Sequence, residues 1–171
     1  MPRAVLIGPP GSGKSSVGKA LARELITTFL DTDHLIESVA GKKIPEIFAE
    51  RGESGFRAIE EEVVLGVLAS EPGVVALGGG SILSSAVRQS LTAEKLPVIY
   101  LTISAKQAVA RIGDARSRPL LTADPVGSWQ KIADQRAEIY QSLATLTYST
   151  DSKKPAEIAH RIAVELSGVS H

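Results

Sequence analysis

The sequence has no cysteine among its 171 residues. Disulfides, thiolate nucleophiles and Cys-based metal sites are therefore excluded. Aromatic residues are scarce, at 4%, so the core must be mainly aliphatic. Net charge is absent, with 19 Lys and Arg against 19 Asp and Glu. A balanced chain has no global field to attract nucleic acid or anionic lipid, and neither is expected as a partner. Any anion must be recognised by locally placed Arg and Lys. No apolar run approaches the roughly 20 residues a membrane span needs. Met1-Pro2-Arg3 leads straight into Ala4-Val5-Leu6-Ile7, a run too short for a signal peptide, so the cytoplasm is the expected location. His34, His160 and His171 stand apart from one another, with no metal-ligand spacing.

What is present suits one globular domain spanning 1–171, with 43% hydrophobic and 22% charged residues. Short apolar runs alternate with helical patterns. Strands are expected at Ala4–Ile7, Phe29–Leu30, Val74–Leu77, Val98–Ile103 and Leu146–Tyr148. Between them, helices are expected at Lys14–Leu25, Asp33–Val39, Pro45–Glu50, Phe56–Ala69, Ser85–Leu91, from the cap Ser104 to Ile112, at Ser128–Leu143 and at Pro155–Leu166. Strands separated by helices imply an α/β fold with a mostly parallel sheet covered on both faces. Gly113 to Gly127 is too long for a plain connection, which usually runs about 4–6 residues. Its arginines, Arg116 and Arg118, favour an active-site lid over a bland surface loop.

The strongest motif is Gly8-Pro9-Pro10-Gly11-Ser12-Gly13-Lys14-Ser15, which fits the phosphate loop G-x-x-x-x-G-K-[ST] between a strand and a helix. Its glycines let the backbone curl so that N–H groups point at phosphate oxygens. The helix start adds its positive end. Lys14 supplies a mobile cation, and Ser15 offers a hydroxyl to magnesium. The loop alone does not separate a kinase from an ATPase, a GTPase or a nucleotide-driven switch.

Leu30-Asp31-Thr32-Asp33 sets two acids at a strand end, where the ligand crevice of a parallel sheet lies. If the chain stays extended, both point to one side. One can hold magnesium and the other can accept a proton from a hydroxyl; alternatively Asp33 is a helix N-cap. Arg57 stands in the first turn of an expected helix, where the macrodipole disfavours a cation unless an anion is bound or Glu60 pairs with it. Gly78-Gly79-Gly80 after the third strand permits close backbone approach to a ligand, or simply a tight turn. Arg136 sits one turn before Tyr140. Beside a phosphate loop, these arginines suggest a pocket for nucleotide phosphates and for a carboxylate.

This ordered set, with Phe56-Arg57, Glu60 and Arg118-Pro119-Leu120-Leu121, closely resembles the bacterial shikimate kinase family over nearly the whole chain. The resemblance implies a three-layer α/β/α fold with a central five-stranded parallel sheet. It also implies a substrate-binding region at about 33–60 and a lid at about 113–127. The implied reaction is transfer of a phosphoryl group from ATP, with Mg²⁺, to the 3-hydroxyl of shikimate; a monomer is expected. By the same resemblance, Lys14, Asp33 and Arg118 are catalytic. Gly11, Ser12, Gly13, Lys14, Ser15, Ser16, Arg111, Arg118, Lys153 and Pro155 meet ATP. Asp33, Phe48, Phe56, Arg57, Gly78, Gly79, Gly80 and Arg136 meet shikimate, and Ser15 and Asp31 serve the metal. The chain departs from the family pattern at Ser16, Gly55, Glu138-Ile139 and Lys153-Lys154. The rival readings are another small-molecule kinase of this fold, such as a gluconate kinase, and a non-catalytic nucleotide-binding module.

Overall fold

The computed structural model describes residues 1–113 and 123–168. Its five strands are β1 (Ala4–Ile7), β2 (Phe29–Asp31), β3 (Val74–Ala76), β4 (Val98–Thr102) and β5 (Leu146–Ser149), in the order β2-β3-β1-β4-β5. Every pairing is parallel. The register sets Val5 between Val75 and Val98, and Leu30 beside Val75. All four residues of β1 are buried, as a central strand covered on both faces requires.

Alternation along the strands builds two cores. On one face Leu6, Ala76, Ile99 and Leu101 pack under α1 (Lys14–Glu24) and α7 (Pro155–Gly168), against Leu21, Ile158 and Ile162. On the other, Val5, Ile7, Val75, Leu77 and Val98 meet residues of α3 (Ile44–Ser70), α4 (Ser85–Ala93) and α6 (Pro125–Leu143): Val64 and Leu68, Leu91, and Tyr140. The result is the expected three-layer α/β/α arrangement. Two smaller clusters join helices to one another: α2 (Thr32–Ala40) packs on α3 through Ile36, Ile47 and Phe56, and α5 (Ala105–Ile112) packs on α6 around Ala108 and Trp129.

Three boundaries differ from the sequence reading. Asp33 does not cap α2; Asp31 does, its carboxylate accepting the Asp33 N–H at 2.9 Å. The two expected helices at Pro45–Glu50 and Phe56–Ala69 are both present within α3 but run longer: helical geometry breaks only at Gly52 (φ 69°, ψ −177°) and resumes directly after it, ahead of Phe56. Glycine admits that conformation while both flanks stay helical. Finally, α6 begins at Pro125 rather than Ser128, because the Asp124 side chain accepts the Gly127 N–H and Pro125 fits the first turn. Residues 125–127 of the expected lid are therefore helical, and Arg116, Arg118, Pro119, Leu120 and Leu121 lie outside the described residues.

The end of α1 bears on stability. Ile26 has φ 51° and is 92% exposed. The N–H groups of Ile26 and Thr27 close back on the carbonyls of Arg23 and Ala22, the Schellman arrangement that normally places glycine at the left-handed position.

Candidate active site

The phosphate loop leaves the carboxyl end of β1. Gly8, Gly11 and Gly13 have φ of 151°, 78° and 95°, where a side chain would be strained. The loop's carbonyls are engaged one after another. Lys14 Nζ donates to the oxygens of Gly8 (2.8 Å) and Pro9 (3.0 Å), and Trp129 Nε1 to that of Pro10 (2.8 Å). Arg111 Nη1 donates to the oxygen of Gly11 (3.4 Å), and Thr150 Oγ1 to that of Ser12 (2.7 Å). Beside the loop lies a hollow of about 240 Å³, lined by Gly11, Gly13, Lys14, Ser15, Ser16 and Arg111 among others. The first N–H groups of a helix have no intrahelical acceptor, a feature that suits the hollow at the start of α1 to an anion.

Asp31 and Asp33 line the same hollow, but not through strand alternation, because the chain turns helical at Thr32. Thr32 is fully buried; its hydroxyl donates to the Ala76 carbonyl (3.3 Å) and accepts from the Gly78 N–H (3.2 Å). The start of α2 is thus tied to the end of β3. Ser15 Oγ donates to Asp31 Oδ2 at 2.6 Å, so strand β2 is tied to the phosphate loop as well.

A second cavity, about 620 Å³, opens beside the first. Asp33, Phe48, Phe56, Arg57, Gly78, Gly79, Gly80 and Arg136 all line it, together with His34, Glu60 and Ile132. The Phe48 and Phe56 rings lie 4.6 Å apart and give it an apolar wall. Because helical geometry resumes directly after Gly52 and not at Phe56, Arg57 lies just beyond the first turn of its helical segment, where the macrodipole penalty has faded. Its Nη1 donates to Glu60 Oε1 at 2.7 Å, and its Nε lies 3.8 Å from Glu53. Glu60 is only 3% exposed, and burial pushes its carboxyl above the usual range despite the neighbouring guanidinium.

The three glycines are set by crowding and not by a left-handed turn, since none has positive φ. A Cβ on Gly78 would fall 2.6 Å from Asp33 Oδ1, and one on Gly80 would fall 2.3 Å from Arg57 Nη1. On Gly79 it would lie 3.6 Å from Arg136 Nη1. The backbone of the turn therefore sits against the groups expected to meet an acidic substrate. Tyr140 secures the turn: its hydroxyl donates to the Gly79 carbonyl at 2.6 Å, while its ring stacks on Tyr100. Burial pushes the Tyr140 hydroxyl up to about 12, so it stays a donor at any ordinary pH.

Pro10, Ser15, Asp31, Asp33, Gly78 and Gly79 border both cavities. Lys153 and Pro155 are exposed and border neither, and Ser12 is buried beneath the loop. A further groove of about 690 Å³ between α2 and α3 holds none of the expected site residues. Sequence reasoning gave no role to Thr32, Trp129 or Thr150, and none to Glu60 beyond a pairing with Arg57. The Arg57–Glu60 spacing of three was the one available signal.

A shikimate kinase family model matches residues 10–167. The shikimate kinase of Thermobifida fusca is 50% identical over 96% of this chain and 95% of its own length. A shikimate kinase from Acinetobacter baumannii, solved in complex with shikimate, superimposes with a TM-score of 0.94 at 32% identity, covering 99% of this chain and 95% of that one. A gluconokinase from Sinorhizobium meliloti covers 98% of this chain and 97% of its own, but reaches a TM-score of only 0.52 at 22% identity, a likeness of fold alone. With a phosphate loop, an adjoining acid-and-arginine pocket and full-length relatives of one kind, the chain belongs to the shikimate kinase family.

Proposed function

We propose that the chain transfers the γ-phosphoryl group of ATP to the 3-hydroxyl of shikimate, giving 3-phosphoshikimate and ADP on the way to chorismate and the aromatic amino acids. The observation that carries this reading is the shared wall of the two cavities: Asp33, Gly78 and Gly79 stand between the phosphate loop and the pocket holding Arg57 and Arg136. Shikimate has one carboxylate and several ring hydroxyls. Arg57 and Arg136 would grip the carboxylate, and the Phe48–Phe56 wall would take the ring's apolar face. Asp33 would bond the ring hydroxyls, facing the backbone of the glycine turn.

In the reaction, a hydroxyl oxygen attacks the γ-phosphorus in line as the bond to the bridging oxygen of ADP breaks. The electron pair leaves with ADP, and the hydroxyl proton passes to Asp33. Lys14 would leave its resting bonds to the loop carbonyls for the outer phosphates. The family pattern adds Arg118 as a second cation toward the transferring group and Arg111 and Pro155 beside the adenine. Ser15 and Asp31 present the hard oxygen donors that Mg²⁺ takes, and they would hold it. When bound with ATP, that ion offsets phosphate charge.

The same reading makes the enzyme a cytoplasmic monomer without nucleic-acid or membrane partners. Its zero net charge favours the absence of nucleic-acid and anionic-lipid partners, and no helix among the described residues is long and apolar enough to cross a membrane. A coupled ADP-release assay with shikimate, gluconate, AMP and no acceptor tests the activity. Turnover should appear with shikimate. Equal turnover with gluconate, or without any acceptor, would overturn the assignment.

A further inference from the structure

Trp129 is the only tryptophan in the sequence. It is 3% exposed, packed against Ala108 and Ala133, and the phosphoryl-transfer chemistry does not use it. Nevertheless its indole N–H reaches the Pro10 carbonyl at 2.8 Å, 119 residues away in sequence. The turn it touches has two possible forms. Pro9-Pro10-Gly11-Ser12 is closed by a bond from the Ser12 N–H to the Pro9 carbonyl at 3.2 Å. With Gly11 at φ 78°, it is a type II turn. Proline at the second position suits type I equally well, and the two types differ by a flip of the central peptide. That peptide joins Pro10 to Gly11. In a planar trans peptide the carbonyl and the N–H point in opposite directions. Type II sends the Gly11 N–H the opposite way from Trp129, and type I would turn the carbonyl that way instead.

The composition of the loop makes this flip consequential. Pro9 and Pro10 have no N–H, so the first donor the loop can offer after Gly8 belongs to Gly11. Gly11 lines the phosphate hollow. In the flipped form, a carbonyl dipole would face the phosphates in place of that N–H. We propose that Trp129 is a positioning residue for the nucleotide: by holding the Pro10 carbonyl, it keeps the Gly11 N–H directed at the phosphates. Thr150 does the same service one peptide pair later, through the Ser12 carbonyl.

This inference rests on the nucleotide-binding part of the proposed function, and its test is therefore a binding ratio and not an activity. The indole is replaced by benzothiophene through benzothienyl-alanine at this one site, which keeps the ring shape and puts sulfur where the N–H stood. ADP with Mg²⁺ and, separately, shikimate are titrated calorimetrically into native and substituted protein. The expected result is about a tenfold loss of ADP affinity, the scale set by one unsatisfied buried acceptor, with shikimate affinity unchanged. Trp129→Phe should show the same selective loss. Unchanged ADP affinity in the benzothiophene protein would overturn the proposal, as would an equal fall in both affinities or loss of the folded state, because each marks Trp129 as packing alone. Native protein that binds no ADP would refute the nucleotide site itself and this inference with it.

Discussion

Ser15 Oγ donates to Asp31 Oδ2 at 2.6 Å, while Asp31 Oδ1 accepts the Asp33 N–H at 2.9 Å. One carboxylate thus both caps α2 and accepts from a hydroxyl in the first turn of α1. Asp31→Asn should preserve the cap, since Asn and Asp serve equally there. It removes the negative charge offered to the metal. The Mg²⁺ concentration for half-maximal rate should rise about tenfold to a hundredfold, as when a group supporting a metal is lost. The melting temperature should barely move. A magnesium titration that matches the native enzyme would dissociate Asp31 from the metal.

Asp33→Asn separates two roles left open for this side chain. If Asp33 takes the hydroxyl proton, kcat should fall by about 10²–10⁴ while shikimate binding changes less. Steady-state kinetics alongside a direct binding titration decides between them. Loss of affinity with an unchanged kcat would make Asp33 an orienting group only.

Gly80→Ala tests the pocket from its wall. The added Cβ would arrive 2.3 Å from Nη1 and 2.5 Å from Nη2 of Arg57, and the guanidinium, as a flexible side-chain end, must yield. KM for shikimate should rise about tenfold, the scale of one charged hydrogen bond lost, with a smaller change in kcat. The pattern to check is KM against kcat. An unaffected KM would show that Arg57 does not meet the acceptor.

Glu60 makes stability depend on pH. Its carboxyl holds its proton to higher pH in the folded protein than in the unfolded chain, chiefly because it is buried. As pH rises through the ordinary carboxylate range, the unfolded chain ionises first and is favoured. Stability from this group is therefore greatest below that range and declines until the folded carboxyl ionises too. Glu60→Gln should lack this decline. Urea midpoints of the two proteins, compared across pH, should diverge in that sense; parallel curves would refute the assignment.

Ile26 carries a β-branched side chain at φ 51° in full solvent. The left-handed conformation costs an L-residue about 1–2 kcal/mol, against about 0.5–1 kcal/mol of extra chain entropy lost by glycine. Ile26→Gly should raise the unfolding free energy by up to about 1 kcal/mol, with activity intact. Denaturant unfolding measures it, and a lower midpoint would contradict the prediction.

The phosphate loop was legible because its chemistry is local: eight consecutive residues supply the glycines, the lysine and the hydroxyl. The alternating strands and helices were legible for a similar reason, since burial on both faces leaves short aliphatic runs. Asp31 and Asp33 were found, but their geometry was misjudged. Helix onset at Thr32 depends on Thr32 itself reaching Ala76 and Gly78 across the sheet, which no local pattern reveals. Trp129 carries no local signal, and its N–H acquires meaning only once α6 lies beside Pro10. Arg57 was read as the cation of a helix start because Gly52 looks like a stop; Gly52 does break the helix, but the next segment starts directly after it and not at Phe56.

The strand order places β2 and β3 on one side of β1, and β4 and β5 on the other. Apart from Arg136 on α6, the groups expected to meet the acceptor follow β2 and β3. Arg111 and Thr150, which brace the phosphate loop, follow β4 and β5. The frame thus has a half that mainly meets the acceptor and a half that braces the phosphate loop. A lineage could re-tailor the segments after β2 and β3 for a different acceptor while the ATP-handling half stays as it is. Among the described elements, α6 is the exception. With Trp129 on the phosphate loop and Tyr140 on the glycine turn, it is answerable to both halves, and it is where such a change of acceptor would meet resistance.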